Sequence, residues 1–207
     1  MKRPLSVIRG AQYKELLKLT INGEILDIGG SKKAGYHELI KGEHLIKTVN
    51  INPEYGCDVI FDIEKKFPLD DKSYNAVITL NVLEHIYNYQ NVISEVYRVL
   101  KTDGLFIISI PFVYGIHGSP DDYFRYTRST LEKILSDYHF KGIKIKELGY
   151  GFFSLTYQFF EGAIPIFLRS FVKRLHIFLD KFISRISKKY QRFVKRIPVG
   201  YFVIAQK

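Results

Sequence analysis

Sulfur and tryptophan are nearly missing from this sequence, which has one Cys, one Met and no Trp in 207 residues. A lone Cys57 cannot form an internal disulfide, so the chain has no need of an oxidising compartment, and one thiol cannot build a structural zinc site. The histidines (His37, His44, His85, His117, His139 and His176) show no tight ligand spacing, so the sequence predicts no metal. No run approaches the roughly 18 uninterrupted apolar residues of a membrane span. Met1–Gly10 carries charges but lacks the continuous apolar stretch of a secretory signal. These absences point to a cytoplasmic protein. Acids are scarce in one place: between Ile164 and Ile197 only Asp180 stands against ten Lys or Arg, so this segment holds nearly all of the +10 net charge.

The rest is close to neutral. An apolar content of 46% and a charged content of 25% are ordinary for a globular chain of one domain with a substantial core. Helical spacing of Tyr13, Leu16 and Leu17 predicts a helix over Arg9–Leu19, ended by Asn22-Gly23. Apolar runs predict seven strands: Glu24–Ile28, Leu45–Asn50, Cys57–Phe61, Asn75–Leu80, Gly104–Ile110, Gly142–Leu148 and Val199–Ala205. Helical segments are expected over Ala34–Lys41, over Asn88–Leu100 with its stripe Val92, Val96, Val99, and over Thr130–Tyr138, where Ser129 and Glu132 suggest a capping box. Strands alternating with helices imply a doubly wound, mostly parallel α/β sheet.

In such a sheet, ligands bind beyond the carboxyl ends of the strands. The first strand delivers Asp27 and then Gly29, Gly30 and Ser31, a strand–turn–helix signal for close backbone approach to a nucleotide-like ligand. The second delivers Asn50, the third Asp62 and Ile63, and the fourth Leu80 and Asn81 followed by Glu84-His85. The fifth leads into the loop Pro111–Thr127, rich in His117, Asp121, Asp122, Tyr123 and Arg125. Polar groups at successive strand ends are hard to ascribe to packing alone.

The stretches LDIGG (Leu26–Gly30), FDIEKKFPLDDKSYNAV (Phe61–Val77), NVLEHI (Asn81–Ile86) and EVYRVLKTDGLFIISIP (Glu95–Pro111) resemble, in this order, the class I S-adenosylmethionine-dependent methyltransferases of the small-molecule, type 11-like branch. The resemblance covers about Ile25 to Leu135 and implies a seventh strand running antiparallel at the sheet edge. It implies S-adenosylmethionine as cofactor. Gly29 and Gly30 would pass close to its methionine part, with Asp27 holding the turn. Asn50 would bond the ribose hydroxyls, Asp62 the adenine amino group, Ile63 would pack on the ring, and Leu80 and Asn81 would flank the methionine chain. Two positions depart from the pattern: Ser31 stands where a glycine is usual, and Asn50 where an acid is usual. An amide forgoes a charge-assisted bond, so weaker cofactor binding, or a fold kept without catalysis, is the alternative.

For the chemistry, His117 is the first candidate base, since imidazole's ordinary pKa of about 6.5 suits removal of a hydroxyl proton at neutral pH. His85 and Asp122 complete the candidate catalytic set. The competing readings are that Glu84 favours a helix N-terminus while His85 packs, and that Asp122 pairs with Arg125 to fix the loop. Gly151–Ile197 reads as a basic helical insertion. Its apolar positions, Leu168, Phe171, Val172, Leu175, Phe178, Leu179 and Phe182 among them, recur at three or four residues. Either that stripe packs on the sheet, or it lies on an anionic membrane surface. Nucleic acid is the less favoured partner, with no RNA-binding signature in the sequence. The expectation is a methyltransferase of a small-molecule or lipid-linked acceptor, such as a sugar hydroxyl of a cell-surface glycan precursor, visiting the inner membrane face. The alternatives are a non-catalytic binding protein and an RNA methyltransferase.

Overall fold

The computed structural model describes residues 5–118 and 120–207, which leaves the first four residues of the stretch read for a secretory signal outside. Along the chain run α1 (Val7–Leu16), β1 (Gly23–Ile28), β2 (His44–Asn50), β3 (Val59–Ile60), β4 (Tyr74–Leu80) and α2 (Tyr89–Val99). There follow β5 (Leu100–Pro111), α3 (Arg128–Asp137), β6 (Lys141–Leu148), α4 (Phe152–Phe160), α5 (Ile166–Ile186), α6 (Lys188–Val194) and β7 (Gly200–Gln206). The strands form one sheet ordered β3-β2-β1-β4-β5-β7-β6. Pairing is parallel except where β7 meets β5 and β6.

Alternation along the strands splits the core in two. Leu26, Ile28, Val77, Phe106 and Ile108 pack with Val92 and Val96 of α2 and Leu131 and Leu135 of α3. Ile25, Ala76, Ile78, Ile107 and Phe202 pack with Val7, Ile8 and Leu16 of α1 and Leu155 and Tyr157 of α4. Helices therefore cover both faces, which is the doubly wound arrangement, and the strand ends of β1, β2 and β4 lie side by side where the order turns back.

Five local expectations are corrected. β7 is antiparallel but lies inside the sheet, with β6 at the edge. The burial explains why: Tyr201, Phe202, Val203 and Ala205 are buried, whereas β6 exposes Lys141, Lys144 and Lys146, charges that keep an edge from pairing further. Ala34–Lys41 is not an α-helix but holds a single 3₁₀ turn, His37–Leu39, because Tyr36 and His37 both turn onto Asp27. The cap of α3 is Thr127, whose hydroxyl accepts the Thr130 N–H at 3.2 Å; Ser129 lies within the helix and Glu132 pairs with Arg128 at 3.4 Å. Glu84 and His85 sit in a 3₁₀ turn, Leu83–His85, well before α2 begins, so Glu84 faces no α-helix N-terminus. α1 is also shifted toward the N-terminus of its expected span, capped by Ser6, which accepts the Arg9 N–H at 3.3 Å.

Between β6 and β7 the chain forms three helices. α5, with 21 residues, is about 31 Å long. Its inner side places Val172 on the α1–α4 core and buries Asp180 completely. The Asp180 carboxylate accepts the N–H groups of Phe153 (3.0 Å) and Ser154 (2.7 Å) at the start of α4, together with the Tyr190 hydroxyl of α6. The one acid of the cationic segment thus pins its two helices, α5 and α6, to α4. The outer side is not polar: Phe167, Phe171, Leu175, Phe178, Phe182 and Ile186 are exposed, with Phe171 at 68% and Ile186 at 71%. Packing on the sheet therefore accounts for only part of the stripe. Among the described residues no helix is long and apolar enough to cross a membrane.

Replacing Asp180 by Ala leaves two N–H groups and a hydroxyl without their acceptor, and we expect a loss of about 2–4 kcal/mol of unfolding free energy in chemical denaturation. Exposed Lys189→Ala, next to the same helix, is expected to change it by less than about 0.5 kcal/mol.

Candidate active site

The turn after β1 is shaped by a carboxylate beneath it. Asp27 alternates with Ile25 onto the α1 face and is fully buried. Its Oδ2 accepts the Tyr36 hydroxyl at 2.6 Å and lies 2.7 Å from His37 Nε2, while Oδ1 is buried with no partner among the described residues. Burial raises the Asp27 carboxyl above its ordinary range and, with the neighbouring Asp27 charge, pushes the Tyr36 hydroxyl far up. A Cβ on Gly30 would stand 2.0 Å from Asp27 Oδ2, so only glycine lets the turn close over that carboxylate. Gly29 has φ +78°, and a Cβ there would meet Val82 at 2.4 Å. The turn is thereby seated on Val82, just past the end of β4.

Neighbouring strand ends close around this turn. Asn50 donates from Nδ2 to the carbonyls of Gly29 (3.2 Å) and Gly30 (3.4 Å), and its Oδ1 accepts the Asn52 N–H at 3.1 Å. A carboxylate could not donate to those two carbonyls, which gives the amide at this position a physical reason. Ser31 accepts the Lys33 N–H at 3.1 Å, a local turn bond. Lys32 reaches Asp58 at 2.7 Å and, with the Thr48 N–H, holds its carboxyl down at about 2. Asp62 accepts the Glu64 N–H at 2.9 Å, and Ile63 packs against the core while its carbonyl accepts from Asn91 at 3.1 Å. Leu80 ends β4, and Asn81 follows with φ +56°, its Oδ1 accepting from Gln12 Nε2 at 2.7 Å. Gln12, fully buried in α1, also donates to Ser109 Oγ at 2.8 Å, and Ser109 donates to the Tyr201 carbonyl at 3.1 Å.

The candidate catalytic residues gather one step further on. Glu84 is 0% exposed, and among the described residues neither of its carboxylate oxygens has a hydrogen-bond partner. His85 Nε2 lies 3.7 Å and His117 Nε2 3.8 Å from Glu84 Oε1. Burial pushes the Glu84 carboxyl up to about 8, helped by the Asp122 charge and opposed by Arg125. The Glu84 carbonyl accepts the N–H groups of Tyr123 (2.8 Å) and Phe124 (3.2 Å), which ties the loop after β5 over this spot. Asp122 forms a two-pronged pair with Arg125 (2.5 and 2.6 Å) and accepts the His117 N–H at 2.9 Å. Arg125 holds the Asp122 carboxyl well below its usual range.

Asp27, Gly29, Gly30 and Asn50 are therefore joined by direct contacts, and Val82 links them to Asn81 and onward to Glu84. His85, His117 and Asp122 form the second group. Asp62 and Ile63 lie past the third strand, engaged with their own turn. Sequence reasoning missed Gln12, Tyr36 and the central place of Glu84. Nothing in the periodicity of α1 distinguishes Gln12, and Tyr36 and His37 acquire meaning only once β1 is folded beside them.

The strand ends suit an adenosyl sulfonium cofactor: Gly29 and Gly30 put bare backbone at the end of β1, and among the described residues Asp27 Oδ1 is a buried acceptor without a donor. Comparisons with known proteins agree. A family model described as a methyltransferase domain matches residues 36–108. Over 141 residues the chain is 24% identical to YrhH of Bacillus subtilis (strain 168), provisionally named a methyltransferase, covering 68% of each chain. Its fold matches the Haemonchus contortus phosphoethanolamine N-methyltransferase 2 in complex with S-adenosyl-L-methionine, with TM-score 0.60 and 18% identity over 95% of this chain. The match spans 52% of that chain, about half its length. A SAM-dependent methyltransferase from Archaeoglobus fulgidus gives TM-score 0.58 and 19% identity over 96% of this chain and 91% of the other.

Gly30→Ala forces the new methyl group onto a carboxylate that Tyr36 and His37 hold in place. We expect it to cost about 1–3 kcal/mol of stability, read as a lower Tm. Gly35→Ala, where a Cβ meets nothing within 4 Å, is the matched control and is expected to leave Tm unchanged.

Proposed function

We propose that the chain is a class I S-adenosylmethionine-dependent methyltransferase that methylates an oxygen of a small or lipid-linked acceptor at an anionic membrane surface. When bound, S-adenosylmethionine supplies an electrophilic methyl group on a sulfonium. Asp27, Gly29, Gly30 and Asn50 would hold its methionine and ribose end, with Asp62 and Ile63 at the adenine and Leu80 and Asn81 beside the methionine chain. The observation that carries the reading is the pair of groups linked through Val82: a bare turn with an unpartnered buried acceptor, and beside it imidazoles for an incoming hydroxyl. His85 and His117 would meet such a hydroxyl with their Nε2 atoms, and Asp122, paired with Arg125 and accepting the His117 N–H, keeps the His117 loop in place. Positioning matters as much as basicity, since the sulfonium is already a strong electrophile.

The membrane part rests on α5. Phe167, Phe171, Leu175, Phe178, Phe182 and Ile186 form one exposed apolar face, and Arg174, Lys181 and Arg185 are exposed along its border. Apolar rings flanked by cations suit an anionic leaflet, where each basic residue contributes about 1 kcal/mol. A lipid-linked acceptor would be met at that surface.

Calorimetry with S-adenosylmethionine tests the enzyme reading. We expect one site per chain, weakened about tenfold or more by Asp62→Ala; no heat at millimolar cofactor would leave a fold without the activity. For the surface, the protein should float with vesicles containing anionic phospholipid and sink with neutral ones. The triple change Phe171→Ser, Phe178→Ser and Ile186→Ser should abolish flotation. Equal flotation of both proteins would remove the membrane role, and salt-sensitive binding to RNA instead would favour a nucleic-acid substrate.

A further inference from the structure

Glu84, His85 and His117 come from two strand ends far apart in sequence, yet their candidate ligand atoms all lie within 4.8 Å of one another. The chemistry around them is specific. His85 Nδ1 contacts the Asp121 carbonyl, and His117 Nδ1 contacts the Gly115 carbonyl at 3.1 Å, with Asp122 Oδ2 also near it at 3.4 Å. Carbonyl and carboxylate oxygens only accept, so each Nδ1 carries the hydrogen. In the neutral rings, each Nε2 then presents a lone pair, and both lone pairs face the same buried carboxylate oxygen.

That arrangement lacks something between its members. At 3.7 and 3.8 Å, the Nε2 to Oε1 separations are too long for hydrogen bonds. Two imidazole nitrogens and a buried carboxyl group that face one another beyond hydrogen-bond reach leave all three polar groups unsatisfied, which is unfavourable for a fully buried acid. The same separations are close to the ~3.4 Å expected between two ligands on a tetrahedral ion with bonds of about 2.1 Å. Imidazoles whose other nitrogen is tied to a carbonyl or carboxylate are also the form that metal-bound histidines take, because that bond fixes tautomer and ring orientation.

We propose that Glu84, His85 and His117 bind a divalent first-row transition-metal ion through one carboxylate oxygen and two Nε2 atoms. Two imidazoles and one carboxylate leave open positions on such an ion. His117 is only partly covered, its side chain 36% exposed, so solvent reaches the cluster from its side. An acceptor oxygen would take an open position there, its proton passing to solvent, and His117 would then serve as a ligand rather than a base. The role for the ion rests on the methyltransferase reading; its binding does not.

The test uses the full chain stripped of metal with a chelator and titrated with Co²⁺, followed by calorimetry and by visible absorption. We expect one equivalent bound, with the absorption bands of a four- or five-coordinate ion. Glu84→Gln and, at the more exposed position, His117→Ala should each weaken binding by at least ~10-fold. His176→Ala, on α5 and away from the cluster, should bind as the parent does. The proposal is overturned if the parent protein takes up no Co²⁺, or if both ligand variants retain parental affinity. S-adenosylmethionine binding measured on the metal-free protein separates the two ideas. Cofactor heat without Co²⁺ uptake removes the metal site alone, whereas Co²⁺ uptake without cofactor heat supports the site while removing the proposed activity.

Discussion

The Asp27 carboxylate, buried beneath Gly30, fixes the geometry of the strand-end region. A buried acid next to the carboxyl end of a central strand has to find partners, and it takes them from the segment after the turn, Tyr36 and His37. That contact uses up the chain that would otherwise continue as a helix, so β1 is followed by turns until β2 begins. It also requires glycine above the carboxylate, and the two bare carbonyls that result are gathered in by the Asn50 amide. The open backbone surface proposed for the cofactor is thus a consequence of where one acid is buried.

The same logic separates what could be read in the residues from what could not. Strand positions were legible because alternating or continuous apolar runs leave few other solutions, and the parallel order followed from helices between them. Asn50 illustrates the limit. As a departure from a family pattern it suggested weakened binding, while its bonds to Gly29 and Gly30 show a donor's task that an acid could not perform. Glu84 illustrates another. Its position just after a strand suggested a helix N-terminus, but a 3₁₀ turn intervenes, and its neighbour in space, His117, is brought in by a loop whose path no local rule specifies. The place of β7 depended on comparing it with β6: one strand is apolar on both faces and the other is edged with lysine.

The cationic segment shows how a single buried acid can organise a region of opposite charge. Asp180 points inward and ties α4, α5 and α6 together, which leaves the outward side of α5 free of any structural duty. Phe178 and Phe182 stack on one another there, their ring centroids 6.2 Å apart, rather than on the core. A helix held from behind in this way can present bulky rings to its surroundings without losing its place in the fold.

The position of β7 between β5 and β6 also matters for how the protein is made. Among the described residues β6 has no sheet neighbour except β7, and α4, α5 and α6 are synthesised before that strand exists. On the ribosome the phenylalanine-bearing helices and an unpaired edge emerge together, ahead of the piece that locks them down. That interval is when the nascent chain is most exposed to mispairing or to capture by a nearby surface.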